Sequence, residues 1–296
     1  MKADSGIEKQ LGTPDLLHHE LYLKGTDFPW MVMIHGAGGS LVSWKHQVSG
    51  FKHLFNLLLL DLRDHGQSKN LQPHFDTYDF DIVTDDIVRL LEHLAIPKAH
   101  FLSLSLGSII LQRLHEKKPD CIASMIMAGG VFKADWKIHF FAHSGKFFSY
   151  IIPFRWIYDI FSWIVLPRKN HQPSRRLFRL QSQKLSSQEF LKWLGLYRDF
   201  FKVVKRFYRK RLETASLVIM GGQDHVFLQA AIHFAHQQAH LAKLVILDGC
   251  GHICNIEQAK LFNTEVLHFL QLIDPSMQQL PGWNGHSLLA NTSGGE

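Results

Sequence analysis

The chain has 296 residues, of which 46% are hydrophobic and 20% charged. That is ordinary globular usage: it excludes a disordered, collagen-like or coiled-coil protein and gives length enough for one large domain or one domain with an insertion. The net charge of +6 is unevenly shared, with 18 Lys and Arg against 4 Asp and Glu in residues 133–211 and 14 against 22 elsewhere, so two unlike surfaces share one chain.

The first ten residues hold no apolar run of the length a secretory signal needs. Three cysteines, Cys121, Cys250 and Cys254, are an odd number without ligand-like spacing. Neither a disulfide framework nor a metal site is expected, and a reducing cytoplasmic location fits best. In chain order, Trp30–Ile34 and Leu57–Leu60 are nearly continuous apolar runs, as in strands covered by helices on both faces. Residues 79–94 place Ile82, Val83, Ile87, Leu90, Leu91 and Leu94 at helical spacing behind acidic first turns. A strand over 98–103, a helix over 106–116 and a strand over 121–128 follow. After residue 211 the rhythm resumes, with strands over 216–220 and 243–247 and helices over 226–239 and 258–272. Such alternation implies a mostly parallel, doubly wound α/β sheet with right-handed crossovers.

Residues 133–211 interrupt this rhythm and hold 19 of the 35 aromatics. They read as an inserted helical cap on a core formed by residues 1–132 and 212–274, and the polar, aperiodic residues 275–296 read as a flexible tail. Arg155, Asp159 and Pro153 break the apolar stretch 147–167, which argues against a membrane span.

Ser103-Leu104-Ser105-Leu106-Gly107 falls where a strand meets a helix. A sharp turn there needs small residues two before and two after its centre, and it holds the central Ser105 out at the carboxyl edge of the sheet. Ser103 stands where the usual pattern has glycine. A serine hydroxyl needs a base, and the base an orienting carboxylate. Asp224, in Gly221-Gly222-Gln223-Asp224-His225, and His252, in Gly249-Cys250-Gly251-His252, supply them after two later strands. His225, ahead of a helix, is the poorer base, and Asp248 is too near His252 in sequence to orient it well. His35-Gly36-Ala37-Gly38-Gly39 lets the Ala37 N–H approach a substrate oxygen, with the Leu106 N–H as second donor. His35 is read as shaping this loop, and Asp61, Arg63 and Asp64 as an ion-pair and turn network behind it.

With these pieces, and with Trp44 and Asp61-Leu62-Arg63-Asp64-His65-Gly66-Gln67-Ser68, the chain resembles the lidded members of the α/β-hydrolase superfamily over about residues 16–273. The resemblance implies Ser105 as nucleophile, His252 as base, Asp224 as its orienting acid, and Ala37 and Leu106 as oxyanion hole, with no cofactor. Relatives that open epoxides or remove halide use a carboxylate at the elbow, whereas this chain has serine.

The implied reaction is cleavage of a carboxylic ester, thioester or lactone of an apolar small molecule. The alternatives are a C–C bond hydrolase or lyase of the same fold, whose cap would fit a polar ketoacid, and a non-catalytic ligand-binding homologue. Phe154, Trp156, Tyr158, Phe161 and Trp163 are expected to line the substrate cavity. The basic run Lys202, Lys205, Arg206, Arg209, Lys210 and Arg211 is expected to face solvent or an anionic membrane, and no stripe or motif indicates nucleic acid.

Overall fold

The computed structural model describes residues 7–8, 15–133 and 152–281. The first part of the expected cap, 134–151, and most of the expected tail, 282–296, lie outside the described residues. The strands are β1 (Ile7–Glu8), β2 (His19–Tyr22), β3 (Trp30–Ile34), β4 (Asn56–Leu60), β5 (Ala99–Leu104), β6 (Ile122–Ala128), β7 (Ser216–Gly221) and β8 (Ala242–Leu247). They form one sheet in the order β1-β2-β4-β3-β5-β6-β7-β8. β3 to β8 pair in parallel, while β2 pairs antiparallel with β4 and β1 antiparallel with β2. Every residue of β4, β5 and β7 is buried, as strands sheltered on both faces must be.

The core helices are α1 (Lys45–Phe51), α2 (Phe80–His93) and α3 (Leu106–Lys117). Between β6 and β7 lie α4 (Phe154–Val165), α5 (Gln172–Ser182), α6 (Ser187–Leu194) and α7 (Tyr197–Arg209). The chain ends its regular structure in α8 (Leu228–Gln237), α9 (Cys254–Glu257) and α10 (Ala259–Ile273). α2 begins where the Asp79 carboxylate accepts the Ile82 N–H, satisfying one of the donors a helix start leaves unpaired. It packs on α3, which packs on α7, while α1 packs on α10. Pro275–Gln279, at the start of the expected tail, is a 3-10 turn whose Met277 is buried.

Hydrogen bonds tie the inserted helices to the core. Trp193 Nε1–H donates to the Arg63 carbonyl at 3.0 Å, and the Ser40 hydroxyl to Gln181 Oε1 at 3.2 Å. His171, fully buried, lies 2.8 Å from Gln223 Oε1. α7 buries Val203, Val204 and Phe207 and exposes Lys202, Lys205, Arg206 and Arg209, so this basic run faces outward. Arg206 also pairs with Glu116 of α3. Among the described residues no helix is long and apolar enough to cross a membrane.

Candidate active site

β3 is flanked by β4 on one side and β5 on the other, which opens a crevice at the carboxyl ends of the strands. Ser105 sits there between β5 and α3 with φ 52° and ψ −117°, a conformation that costs a non-glycine residue energy. The surroundings enforce it. The Ser105 N–H donates to the Ala128 carbonyl at 2.9 Å, and its carbonyl accepts from the Ser108 N–H at 2.8 Å and the Ser108 hydroxyl at 2.7 Å. A Cβ on Gly107 would come within 2.6 Å of the Ile34 carbonyl oxygen and 2.7 Å of that of His35. Only glycine lets α3 start this close to β3. Ser103 is fully buried and donates its hydroxyl to the Ile126 carbonyl at 3.1 Å, so the departure from glycine there is accommodated inside the sheet.

His252, on the loop after β8, places Nε2 2.8 Å from Ser105 Oγ and Nδ1 2.7 Å from Asp224 Oδ2. The carboxylate can only accept, so Nδ1 carries the proton and Nε2 is left to accept from the serine hydroxyl. Burial alone would raise the Asp224 carboxyl. The neighbouring His252 outweighs it, with the N–H groups of Phe227 and Val226, and the carboxyl is held below its ordinary range. His225 and Asp248, the rival base and acid, are exposed.

The loop after β3 is pinned by groups that stay neutral or are held ionised. His35 Nδ1–H donates to the Gly36 carbonyl at 2.8 Å, and Nε2 accepts from the Leu62 N–H at 3.0 Å. His65 Nδ1–H donates to the Arg63 carbonyl at 2.9 Å, and Nε2 accepts from the Gly38 N–H at 3.0 Å. Burial, then the neighbouring His35, pushes His65 down to about 3, so it holds the loop as a neutral ring. Asp61 accepts from the Leu41 N–H at 2.8 Å and the Gln67 N–H at 2.9 Å. The Gly39 N–H turns back to the Gly36 carbonyl at 3.0 Å. The Ala37 N–H is left without an acceptor among the described residues, and Leu106 opens α3, where helix geometry leaves its N–H free.

The network behind this loop differs from expectation in its partners. Arg63 pairs with Asp86 of α2 through Nε and Nη2, at 2.7 Å and 2.6 Å, not with Asp61 or Asp64. Asp64 instead accepts from the Tyr78 hydroxyl at 2.5 Å. The helical spacing of α2 shows its apolar face and gives no sign that one acid on it turns inward.

Two cavities meet here. One of about 40 Å³ contains Ser105 and His252 and is closed by Phe161, Val165 and Phe178. The other, about 230 Å³, runs past Leu106 between Tyr158, Phe190, Trp193 and Phe200. Ala37 and Phe161 border both, and among the described residues no Asp, Glu, Lys or Arg lines either.

Of the five aromatics expected to line a cavity, Tyr158 and Phe161 do. Phe154 instead stacks on Phe190, with ring centroids 5.5 Å apart. Trp156 and Trp163 are 63% and 53% exposed. The helical period of α4 explains this correction: Ile157, Tyr158, Phe161 and Val165 take the inward face, which turns positions 156 and 163 out. His65 and His171 were not expected here. His65 stood in the quoted motif without a role, and nothing local marks His171.

The model of the alpha/beta hydrolase fold family matches residues 29–259, and the chain belongs to that family. It is 24% identical over 247 residues to 3-oxoadipate enol-lactonase 2 of Acinetobacter baylyi, covering 81% of this chain and 88% of that one. It is 27% identical over 124 residues to epoxide hydrolase 4 of Mus musculus, but this covers only 42% of this chain and 31% of that one. The crystal structure of a hydrolase from Pseudomonas aeruginosa superposes with a TM-score of 0.69 at 23% identity, over 90% of this chain and 97% of that one.

Proposed function

We propose that the protein is a serine hydrolase that cleaves a carboxylic ester, thioester or lactone of an uncharged, apolar small molecule through an acyl-enzyme. The observation that carries this reading is the unbroken chain from Ser105 Oγ through His252 to Asp224, at 2.8 Å and 2.7 Å. Ser105 attacks the carbonyl carbon while His252 Nε2 takes its proton. Asp224 stabilises the imidazolium that forms and fixes its tautomer. The carbonyl oxygen becomes an oxyanion between the Ala37 and Leu106 N–H groups, each such donor being worth roughly 10²–10³ in rate. His252 then gives the proton to the leaving oxygen or sulfur, and a water activated by the same imidazole releases the acid.

The cavity walls separate this reading from its rivals. A polar ketoacid substrate of a C–C bond hydrolase needs a cation to meet its carboxylate, and among the described residues no Lys or Arg lines either cavity. An epoxide route would need an acid where Ser105 stands. The lactonase relative supports a cyclic ester as one member of the substrate class. No cofactor enters any step. Three buried, unpaired cysteines support a reducing cytoplasmic location.

The test is intact-mass detection of fluorophosphonate labelling, with hydrolysis of p-nitrophenyl esters of increasing chain length, on wild type and Ser105→Ala. One label per wild-type chain, none on the variant, and ester turnover lost with it is the expected result. A folded wild type that neither labels nor turns over any ester overturns the proposal in favour of a ligand-binding homologue.

A further inference from the structure

α4 faces two environments. Its inner side closes the substrate cavities, whereas Trp156, Ile160, Trp163 and Ile164 on its outer side are 63%, 51%, 53% and 37% exposed. These positions recur at the spacing of one helical face. Single exposed apolar residues are normal on any protein, but a continuous stripe with two tryptophans is not. The surroundings of the stripe are basic. Arg155, Arg168, Lys169 and Arg176 are exposed and have no acidic partner among the described residues. Asp159 is the sole acid between residues 152 and 176, and Arg179 already holds it through two hydrogen bonds of 2.6 Å and 2.9 Å. The Arg175 guanidinium lies 3.6 Å from the centre of the Trp163 ring, fixing that ring in place.

We infer that the outer face of α4 docks on an anionic lipid bilayer, with Trp156, Ile160 and Trp163 entering the headgroup region and the flanking cations meeting lipid phosphates. Tryptophan favours that depth because its ring is apolar and its N–H is polar. Each cation near such a surface adds to the attraction, and salt weakens it. A second copy of the chain is a poorer occupant, because pairing two such faces would set one group of unpaired cations against another. Docking stands without the hydrolase reading. One consequence rests on that reading: the helix lying on the lipid is also the wall of the acyl cavity, through Ile157, Tyr158 and Phe161, so the bilayer would be the source of its apolar substrate.

The test uses the full chain with sedimented vesicles of phosphatidylcholine, with and without phosphatidylglycerol, at low and high salt. Wild type should pellet with the anionic vesicles at low salt and be released by high salt, and brominated lipid should quench its tryptophan fluorescence. Trp156→Ser with Ile160→Ser should weaken vesicle binding by at least about tenfold, while hydrolysis of a short soluble ester and fluorophosphonate labelling stay at wild-type level. Arg168→Glu with Lys169→Glu should weaken binding to anionic vesicles in the same assay. Wild type remaining in the supernatant with both vesicle types overturns the inference. So does equal binding by the stripe variant, which would move the contact to another basic surface such as α7, and so does concentration-dependent dimerisation of wild type that the stripe variant abolishes without any vesicle binding. The ester and labelling readouts need no lipid, so failure of docking and failure of the hydrolase reading are told apart.

Discussion

At Asp224, what counts is which proton the neighbouring imidazole carries. Its carboxylate fixes Nδ1 as the donor, and an amide in its place could present its NH₂ to Nδ1 and leave the Nε2 nitrogen protonated, unable to accept from Ser105. Asp224→Asn should therefore lower kcat/KM by about 10³–10⁴ while leaving fluorescence and circular dichroism unchanged. The same carboxyl couples the fold to pH. Burial raises it, but His252 and two backbone donors hold it below its reference value of 3.8. Its contribution to stability is then fully present above that value and lost as pH falls through the lower, folded-state value. In thermal melts, wild type should approach Asp224→Asn below about pH 4, and a gap that persists there would assign the coupling to other carboxyls, such as Asp61. Ser105, Asp224 and His252 were legible in the sequence because each follows a strand, where short loops converge on one edge of the sheet. Asp86 was not, since its role depends on Arg63, 23 positions away.

Among the elements, β3 and β4 were legible because apolar runs of four or five residues have little else to form when both faces are covered. β2, His19–Tyr22, was not: it alternates and offers only two apolar side chains, and its antiparallel pairing with β4 has no local signal. The helix expected from residue 226 starts at Leu228 because the Asp224 carboxylate holds the N–H groups of Val226 and Phe227 at 3.1 Å and 3.0 Å. The start of α3 sets up a contest of magnitudes. Gly107→Ala would gain up to about 1 kcal/mol in helix propensity. Its Cβ would, however, press on two backbone carbonyls at 2.6 Å and 2.7 Å, which cannot swing aside as a side chain can. Overpacking of this kind costs about 1–3 kcal/mol, so the clash wins. The variant should melt lower, and kcat/KM should fall by about 10–100-fold as the loop carrying Ala37 is pushed from Ser105. A melting temperature at or above wild type would show that β3 and α3 can separate without cost.

Across the whole molecule, the helical insertion supplies walls of both cavities beside Ser105. An insertion was legible from the change in charge and aromatic content, but its inward face was not, since a count of rings does not say which way a helix is turned. Phe161 is where that orientation matters most. It lies between the space of about 40 Å³ over Ser105 and the space of about 230 Å³ beyond it, so under the proposed ester hydrolysis its ring would set how far an acyl chain extends before meeting a wall. Phe161→Ala should join the two spaces. Each added methylene that then finds an apolar surface gains about 1–3 kcal/mol of transition-state binding, or roughly 10–200-fold. The ratio of kcat/KM for p-nitrophenyl decanoate over butyrate should accordingly rise by at least about tenfold, because only the longer chain reaches the space that the missing ring opens. A ratio equal to wild type would mean that the acyl chain never enters the larger cavity, and the length limit would then have to come from the walls of the smaller one, Phe178 and Val165.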